Sequence, residues 1–276
     1  GQSSSGPFTF TNSTIKNATG NCLGYYDNIG GNLQVDHSKF IDCGTDVSGL
    51  SHGIYLSQSG TIEYNEFYTT GGAAAGFAIQ LYGGTSLVKN IVRYNYIHDW
   101  TGVSNAAPMI IVQGTGSEFY GNIIDSSKDY GIRVQYQPGC TNCRFYNNSI
   151  YNGTGDAFFL GSAAVNAVVA NNLTIGNVPL NGGAGFIDQT ALGTNTTFTT
   201  NIQNTGVASD HWVDAPGGNF SLLSTSTAVD TGTSAIASGI TRTYNGSAPD
   251  IGAFETFGYL NAEVGAVATN KVVVNL

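Results

Sequence analysis

Two groups of side chains in this sequence are of types that do chemistry. The first is His98 with Asp125, and with Tyr68 and Tyr151 at similar spacing on either side, in a series that also holds Lys16 and Ile41. A carboxylate beside an imidazole raises the histidine's proton affinity toward neutrality and yields a group suited to general acid or base work. The bland alternative is an ordinary surface histidine beside an ordinary surface aspartate. The second group is a face of Tyr55, Gln80, Ile111, Arg133, Phe159 and Ile187, flanked by Ser57, Tyr82, Gln113 and Gln135. Aromatic rings edged by side-chain amides suit sugars, whose rings have apolar faces and hydroxyl rims. Glu63 with Arg93 and Glu118 with Arg144 fall in matching positions and read as cross-coil ion pairs. Arg133 has no acidic neighbour in its own series, although Lys128 and Asp129 sit in the turn before it, and is the residue suited to an acidic sugar. The catalytic candidates are therefore Arg133, His98, Asp125 and Tyr151, and the substrate-binding candidates Tyr55, Gln80, Tyr82, Gln113, Gln135 and Phe159. A loop such as 100–108 folded over the second face would bury it instead.

These groups come together only if distant residues are stacked, and the sequence contains the repeat that stacks them. Related phrases recur at Phe10-Thr11-Asn12-Ser13-Thr14-Ile15, Glu63-Tyr64-Asn65-Glu66-Phe67, Arg93-Tyr94-Asn95-Tyr96-Ile97 and Tyr146-Asn147-Asn148-Ser149-Ile150. Apolar anchors at Ile15, Phe40, Phe67, Ile97, Ile124, Ile150, Ile175 and Ile202 keep this register. A second phrase runs in step: Gly53-Ile54-Tyr55-Leu56, Ala78-Ile79-Gln80-Leu81, Met109-Ile110-Ile111-Val112, Gly131-Ile132-Arg133-Val134, Ala157-Phe158-Phe159-Leu160 and Gly185-Phe186-Ile187. Short alternating runs bounded by Gly, Asn, Asp and Ser are strands with one buried face. Such strands must stack coil on coil at about 4.8 Å, so that residues one repeat apart touch. Asn65, Asn95, Asn122 and Asn148 stand two residues before their anchors, with Asn12 and Asn172 shifted by one, and read as a structural amide ladder.

Composition agrees. Charged residues are 10% of the 276 and Gly numbers 38, which leaves little with which to build helix surfaces. A net charge of −9 excludes nucleic acid as a partner and disfavours anionic membranes. No apolar run is long enough for a spanning helix. Cys22 and Cys43 lie about one coil apart and could form a cross-coil disulfide, while Cys140-x-x-Cys143 reads as a local disulfide or free thiols before any zinc or redox site. No metal site is expected. The chain begins at Gly1 without a signal peptide and reads as processed or excised.

With its phrases His52-Gly53-Ile54-Tyr55 and Tyr146-Asn147-Asn148-Ser149-Ile150, the chain resembles the right-handed parallel β-helix repeat proteins over residues 8–205. That family includes bacterial polysaccharide lyases, glycoside hydrolases and surface proteins. The resemblance implies an all-β, right-handed single-stranded solenoid of about eight coils over residues 1–205. A further stretch, Phe220-Ser221-Leu222-Leu223, Ala228-Val229-Asp230-Thr231-Gly232 and Asp250-Ile251-Gly252-Ala253-Phe254-Glu255, resembles the closing segment of large secreted β-helix proteins. It implies an extracellular or cell-surface address and a cap over residues 206–256 covering the last coil. Residues 257–276 read as a linker or the opening strands of another β domain. Polygalacturonase-type members use clustered aspartates, and this sequence has no Asp-Asp pair or Gly-His-Gly. Lyase-type members use a Lys or Arg base with Ca²⁺ held by carboxylates; Arg133 and Lys128 are present, but no dense acidic cluster is. The expectation is an extracellular protein that binds a polysaccharide or cell-surface glycan, with lyase-type cleavage left as an open branch. The rival is a non-catalytic stalk, adhesin or filament subunit that self-associates end to end.

Overall fold

The computed structural model describes residues 7–25, 32–45, 50–70, 76–82, 88–100, 108–180, 184–188, 192–236 and 243–256. The alternating runs form three parallel sheets, two of eight strands and one of seven, with each strand paired to its equivalents in the coils above and below. The second sheet positions the site described below. Its strands are Thr14–Ala18, Lys39–Cys43, Glu66–Tyr68, Tyr96–His98, Ile123–Asp125, Ser149–Tyr151, Leu173–Ile175 and Ile202–Gln203. The described regular structure outside strands is two single-turn 3-10 helices, Ala208–Asp210 and Ala215–Gly217. The chain is an all-β parallel solenoid.

Inside, the anchors line up as expected from Ile15 through Phe40, Phe67, Ile97 and Ile124 to Ile150. Phe40 and Phe67 stack at 4.8 Å between centroids, and Phe119 and Phe145 at 4.9 Å, so the bore is filled by aromatic as well as aliphatic groups. Beyond Ile150 the expectation fails by one residue. Ile150 pairs with Thr174, and Thr174 with Gln203, so Ile175 and Ile202 lie on the outer side. The corrected register restores Asn172 to the ladder without a shift.

The ladder runs through Asn65, Asn95, Asn122, Asn148, Asn172 and Asn201. From Asn95 on, each amide oxygen accepts from the preceding asparagine, and each Nδ2 as far as Asn172 donates to the next, as in Asn122 Nδ2 to Asn148 Oδ1 at 3.0 Å and to the Val92 carbonyl at 2.9 Å. Buried amides that find all their partners in identical neighbours fix the corner between the first two sheets. The residue before each is left-handed: Tyr64, Tyr94, Gly121, Asn147, Asn171 and Thr200 all have φ between 48° and 65°. At Gly121 a side chain would also meet the Tyr94 ring, 2.5 Å from an ideal Cβ.

In the third sheet, one strand is shifted from its expected place. Gln80 pairs with Ile110, not Ile111, and Ile111 is buried in the core. Met109 to Val112 are all apolar, so nothing in their alternation distinguishes the two registers, and a slip by one exchanges the faces. Ile187 bridges Phe158 and likewise faces inward. Glu63 and Arg93 form the expected ion pair at 2.5 Å. Glu118 does not pair with Arg144: Lys89 takes it at 2.6 Å from the other side, together with the Tyr146 hydroxyl at 3.1 Å.

Cys22 is bonded to Cys43 and Cys140 to Cys143. The first link ties neighbouring coils and stabilises the folded chain by about 3 kcal/mol.

The closing segment's described contacts run along the flank of the second sheet, as far as Ile202 of its last strand. Trp212–Asp214 and Asn219–Leu222 form an antiparallel pair. Trp212, Phe220, Leu222, Ala228, Ile251 and Phe254 pack with Tyr96, Ile123, Leu173 and Ile175, the outward residues of the second sheet. Asn147 Nδ2 donates to the Asp250 carbonyl (2.8 Å), Asn171 Nδ2 to the Thr233 carbonyl (2.9 Å), and the Ala253 N–H to Ser149 Oγ (3.0 Å). Within the segment Asp250 accepts from the Asp230 N–H and its own N–H donates to Glu255, so this motif locks a turn. Residues 257–276, expected to open another domain, lie outside the described residues.

Candidate functional site

The outward side of the second sheet carries two columns. One runs Lys39, Glu66, Tyr96, Ile123, Ser149, Leu173; the other Ile41, Tyr68, His98, Asp125, Tyr151, Ile175. The stacking expected of His98, Asp125 and the two tyrosines is therefore present. Where the columns are apolar the flank segment covers them, and where they are polar a cleft of about 430 Å³ remains, within the ~300–1,000 Å³ of small-ligand sites. It is lined by Glu66, Tyr96, His98, Asp99, Asp125, Ser126, Tyr151 and Asn152, and is walled by Pro216, Gly217 and Gly218. That wall is a tight turn: Asp214 accepts from the Gly217 N–H, and Gly218 has φ 80°. Gly218 stands against the Tyr96 hydroxyl, 3.2 Å from an ideal Cβ. Tyr151, Trp212 and Phe220 meet edge to face beneath it, which fixes the wall to the sheet.

His98 is held on all sides. Its ring lies 5.0 Å from Tyr68 and 4.3 Å from Tyr96, both nearly parallel. Nδ1 meets Asp99 Oδ2 at 2.9 Å and Nε2 meets Glu66 Oε1 at 3.2 Å. Burial opposes the imidazolium, but the two carboxylates outweigh it and hold His98 above the usual histidine range. The sequence assigned this role to Asp125; the partners are Asp99 and Glu66. Glu66 is itself desolvated, yet its hydrogen bonds with His98 and with Lys39 at 2.9 Å keep its carboxyl below the ordinary glutamate value.

Asp125 differs. Burial, with the charge of Asp99 adding to it, pushes its carboxyl up to about 6 against the opposing Ser126 hydrogen bond and His98 charge. Ser126 Oγ donates to it at 2.8 Å. Tyr96 is 9% exposed, and among the described residues its hydroxyl has no hydrogen-bond partner. Burial and the neighbouring carboxylates raise the Tyr96 phenol, so it remains a donor. Burial and Asp125 raise Tyr151 as well. Asp99, Glu66, Tyr96, Ser126 and the 216–218 turn were not anticipated. Lys39 opposite Glu66 in the adjacent column was the available signal.

On the third sheet the column runs Tyr55, Gln80, Ile110, Arg133, Phe159. In its own column Arg133 has no acidic neighbour, as expected, and stands between Ile110 and Phe159. From outside that column Asp129 Oδ2 lies 3.4 Å from it, and the Arg133 guanidinium sits between the Tyr130 and Phe159 rings at 5.5 and 5.4 Å. Tyr130 donates to Asp188 at 2.6 Å. This arginine is built into an aromatic and carboxylate setting. Tyr82 is 45% exposed, with its ring 5.9 Å from Tyr55. Gln80 is buried and Gln135 half-buried, and both amide oxygens are unpaired among the described residues. The register between the strands of Gln113 and Gln135 shifts after Ile111, so that Gln113 stands opposite Gly139 and not beside Gln135. Residues 101–107 of the loop expected to cover this face lie outside the described residues. No group of three His, Cys, Asp or Glu among the described residues could hold a metal ion.

A family model for the right-handed β-helix region matches residues 30–202. Among solved structures, pectate lyase Pel9A superposes with a TM-score of 0.57 at 18% identity, over 90% of this chain and 65% of that one; at that identity the likeness is one of fold. No curated protein matches the sequence.

Proposed function

The chain belongs to the right-handed β-helix family, and on that premise we propose that it is an extracellular polysaccharide-binding protein that seats a sugar unit in the cleft between the second sheet and the 216–218 turn. The observation that carries this reading is the walled cleft itself, which Tyr96, Asp125 and Tyr151 line together. A ligand rich in hydroxyls would hydrogen-bond to these groups. Two disulfides support an oxidising compartment. No helix among the described residues is long and apolar enough to cross a membrane.

The test is a glycan array followed by titration calorimetry on the best binder. Tyr151→Ala and Asp125→Ala should each weaken binding about tenfold or more. Retention of no glycan would sink the reading. Unchanged affinity in both variants, with loss in Tyr82→Ala, would move the site to the third sheet.

One observation favours the structural rival: the outermost strands Phe8–Thr11, Thr197–Thr199 and Ile202–Gln203 are paired on one side only among the described residues. Open edges template further strands. Rods growing with concentration under the electron microscope would support it, and monodisperse particles at high concentration would remove it.

A further inference from the structure

We propose that the cleft selects an amino sugar, whose ammonium group is held between Asp99 and Asp125 while its hydroxyls reach Tyr96. This rests on the cleft being the glycan site, and goes beyond it by naming the class of sugar that fits.

Three carboxylates, those of Glu66, Asp99 and Asp125, line the cleft beside one imidazole. His98 commits its two nitrogens to Asp99 Oδ2 and Glu66 Oε1, and Lys39 reaches Glu66 Oε2. Lys39 balances Glu66 and a charged His98 balances one carboxylate more, which leaves the pair Asp99 and Asp125 one negative charge in excess. Asp125 stands directly across from His98 in the adjacent coil, about 4.8 Å along the stack, and Asp99 follows His98 in sequence. Ser126 Oγ donates to Asp125 Oδ1, so that Asp125 Oδ2 and Asp99 Oδ1 have no partner among the described residues. Burial raises the Asp125 carboxyl and the Asp99 charge adds to the effect. A cation between the two relieves that repulsion.

A second observation says what kind of cation. The Tyr96 side chain is 9% exposed, and its hydroxyl has no partner among the described residues. An ideal Cβ on Gly218, which walls the cleft, would stand 3.2 Å from that oxygen, so the hydroxyl itself borders the cleft. A bare ion leaves it unused. An ammonium on a sugar ring brings three N–H donors for the carboxylate oxygens, is attracted by an aromatic ring such as that of Tyr151, and carries neighbouring hydroxyls for Tyr96 and the Asn152 amide. Acetylation of the same nitrogen removes the charge and leaves one donor, which is the difference the site reads.

The experiment is calorimetry on the whole chain near neutral pH with three hexasaccharides that share one backbone: glucosamine hexamer, its fully N-acetylated counterpart and cellohexaose. The free amine should bind about tenfold or more tighter than either neutral hexamer, and added salt should shrink the advantage. Asp99→Asn and Asp125→Asn should each reduce it to about twofold or less. Asp99 is 70% exposed, so its variant reads the site without disturbing the fold. Glu118→Gln removes the same charge from the first sheet and should leave the advantage intact, which separates the cleft from the chain's overall charge of −9. Equal affinity for the three hexamers, an advantage that survives both aspartate variants, or one that Glu118→Gln also abolishes overturns the amino-sugar proposal. Should no hexamer bind while the glycan array finds another ligand, the proposal falls alone; should the array also be silent, the glycan site falls with it.

Discussion

The same stacking builds two columns with opposite outcomes, the amide ladder at the corner of the first two sheets and the Tyr68, His98, Asp125, Tyr151 column on the outer side of the second. In the ladder the residue type repeats, so every donor and acceptor finds its complement one coil away. In the outer column the type changes at every coil, and the polar atoms must find partners sideways or in a ligand. His98 finds two carboxylates, Asp125 a serine hydroxyl, and Tyr96 of the neighbouring column nothing within the described chain. Repetition satisfies polar groups, and interrupted repetition leaves them available for chemistry.

Four substitutions sharpen or break this contrast. Trp212→Ala removes the wall's fully buried anchor and should cost about 3 to 5 kcal/mol in denaturant unfolding. A cost under 1 kcal/mol would mean that the flank segment is not seated as described. Asn122→Ala leaves backbone groups of two coils unpaired in the core, with an expected loss of about 3 kcal/mol by the same measurement.

Asp125→Asn should have the opposite sign. The folded-state pKa is raised, so the aspartate's favourable contribution is complete below the unfolded value near 4 and is lost as pH rises through about 6. At pH 8 the variant should therefore be more stable than wild type by about 1 kcal/mol, after allowance for partial solvent screening, and the difference should close toward pH 4. Thermal melts at the two pH values read it, and a destabilised variant at pH 8 would place this carboxyl in the structural class. Tyr96→Phe should be the mildest, with stability within about 0.5 kcal/mol and glycan affinity reduced about threefold to tenfold.

Much of the fold was legible because the ladder and the inward anchors follow a period that physical stacking imposes. Register was lost where alternation was lost. Met109 to Val112 are uniformly apolar, and the Leu173 to Ile175 strand has apolar residues on its outer side because another segment covers them. The His98 and Asp125 juxtaposition was legible, since both occupy one column. Asp99 and Glu66 were not, for one lies in the turn beyond the strand and the other in the parallel column, where the repeat phrase carries no fixed residue type. The 216–218 wall lies outside the repeat, so no periodicity could bring it to Tyr96.

Repeat proteins ordinarily fray from their ends, because each unit touches only its neighbours. Here one stretch of chain is fastened to several successive rungs, by apolar packing at Tyr96, Ile123 and Leu173 and by hydrogen bonds at Asn147, Ser149 and Asn171. A longitudinal strap of this kind makes the loss of any one rung expensive for the others. The middle of the rod should consequently open as a single cooperative block while its tips breathe independently.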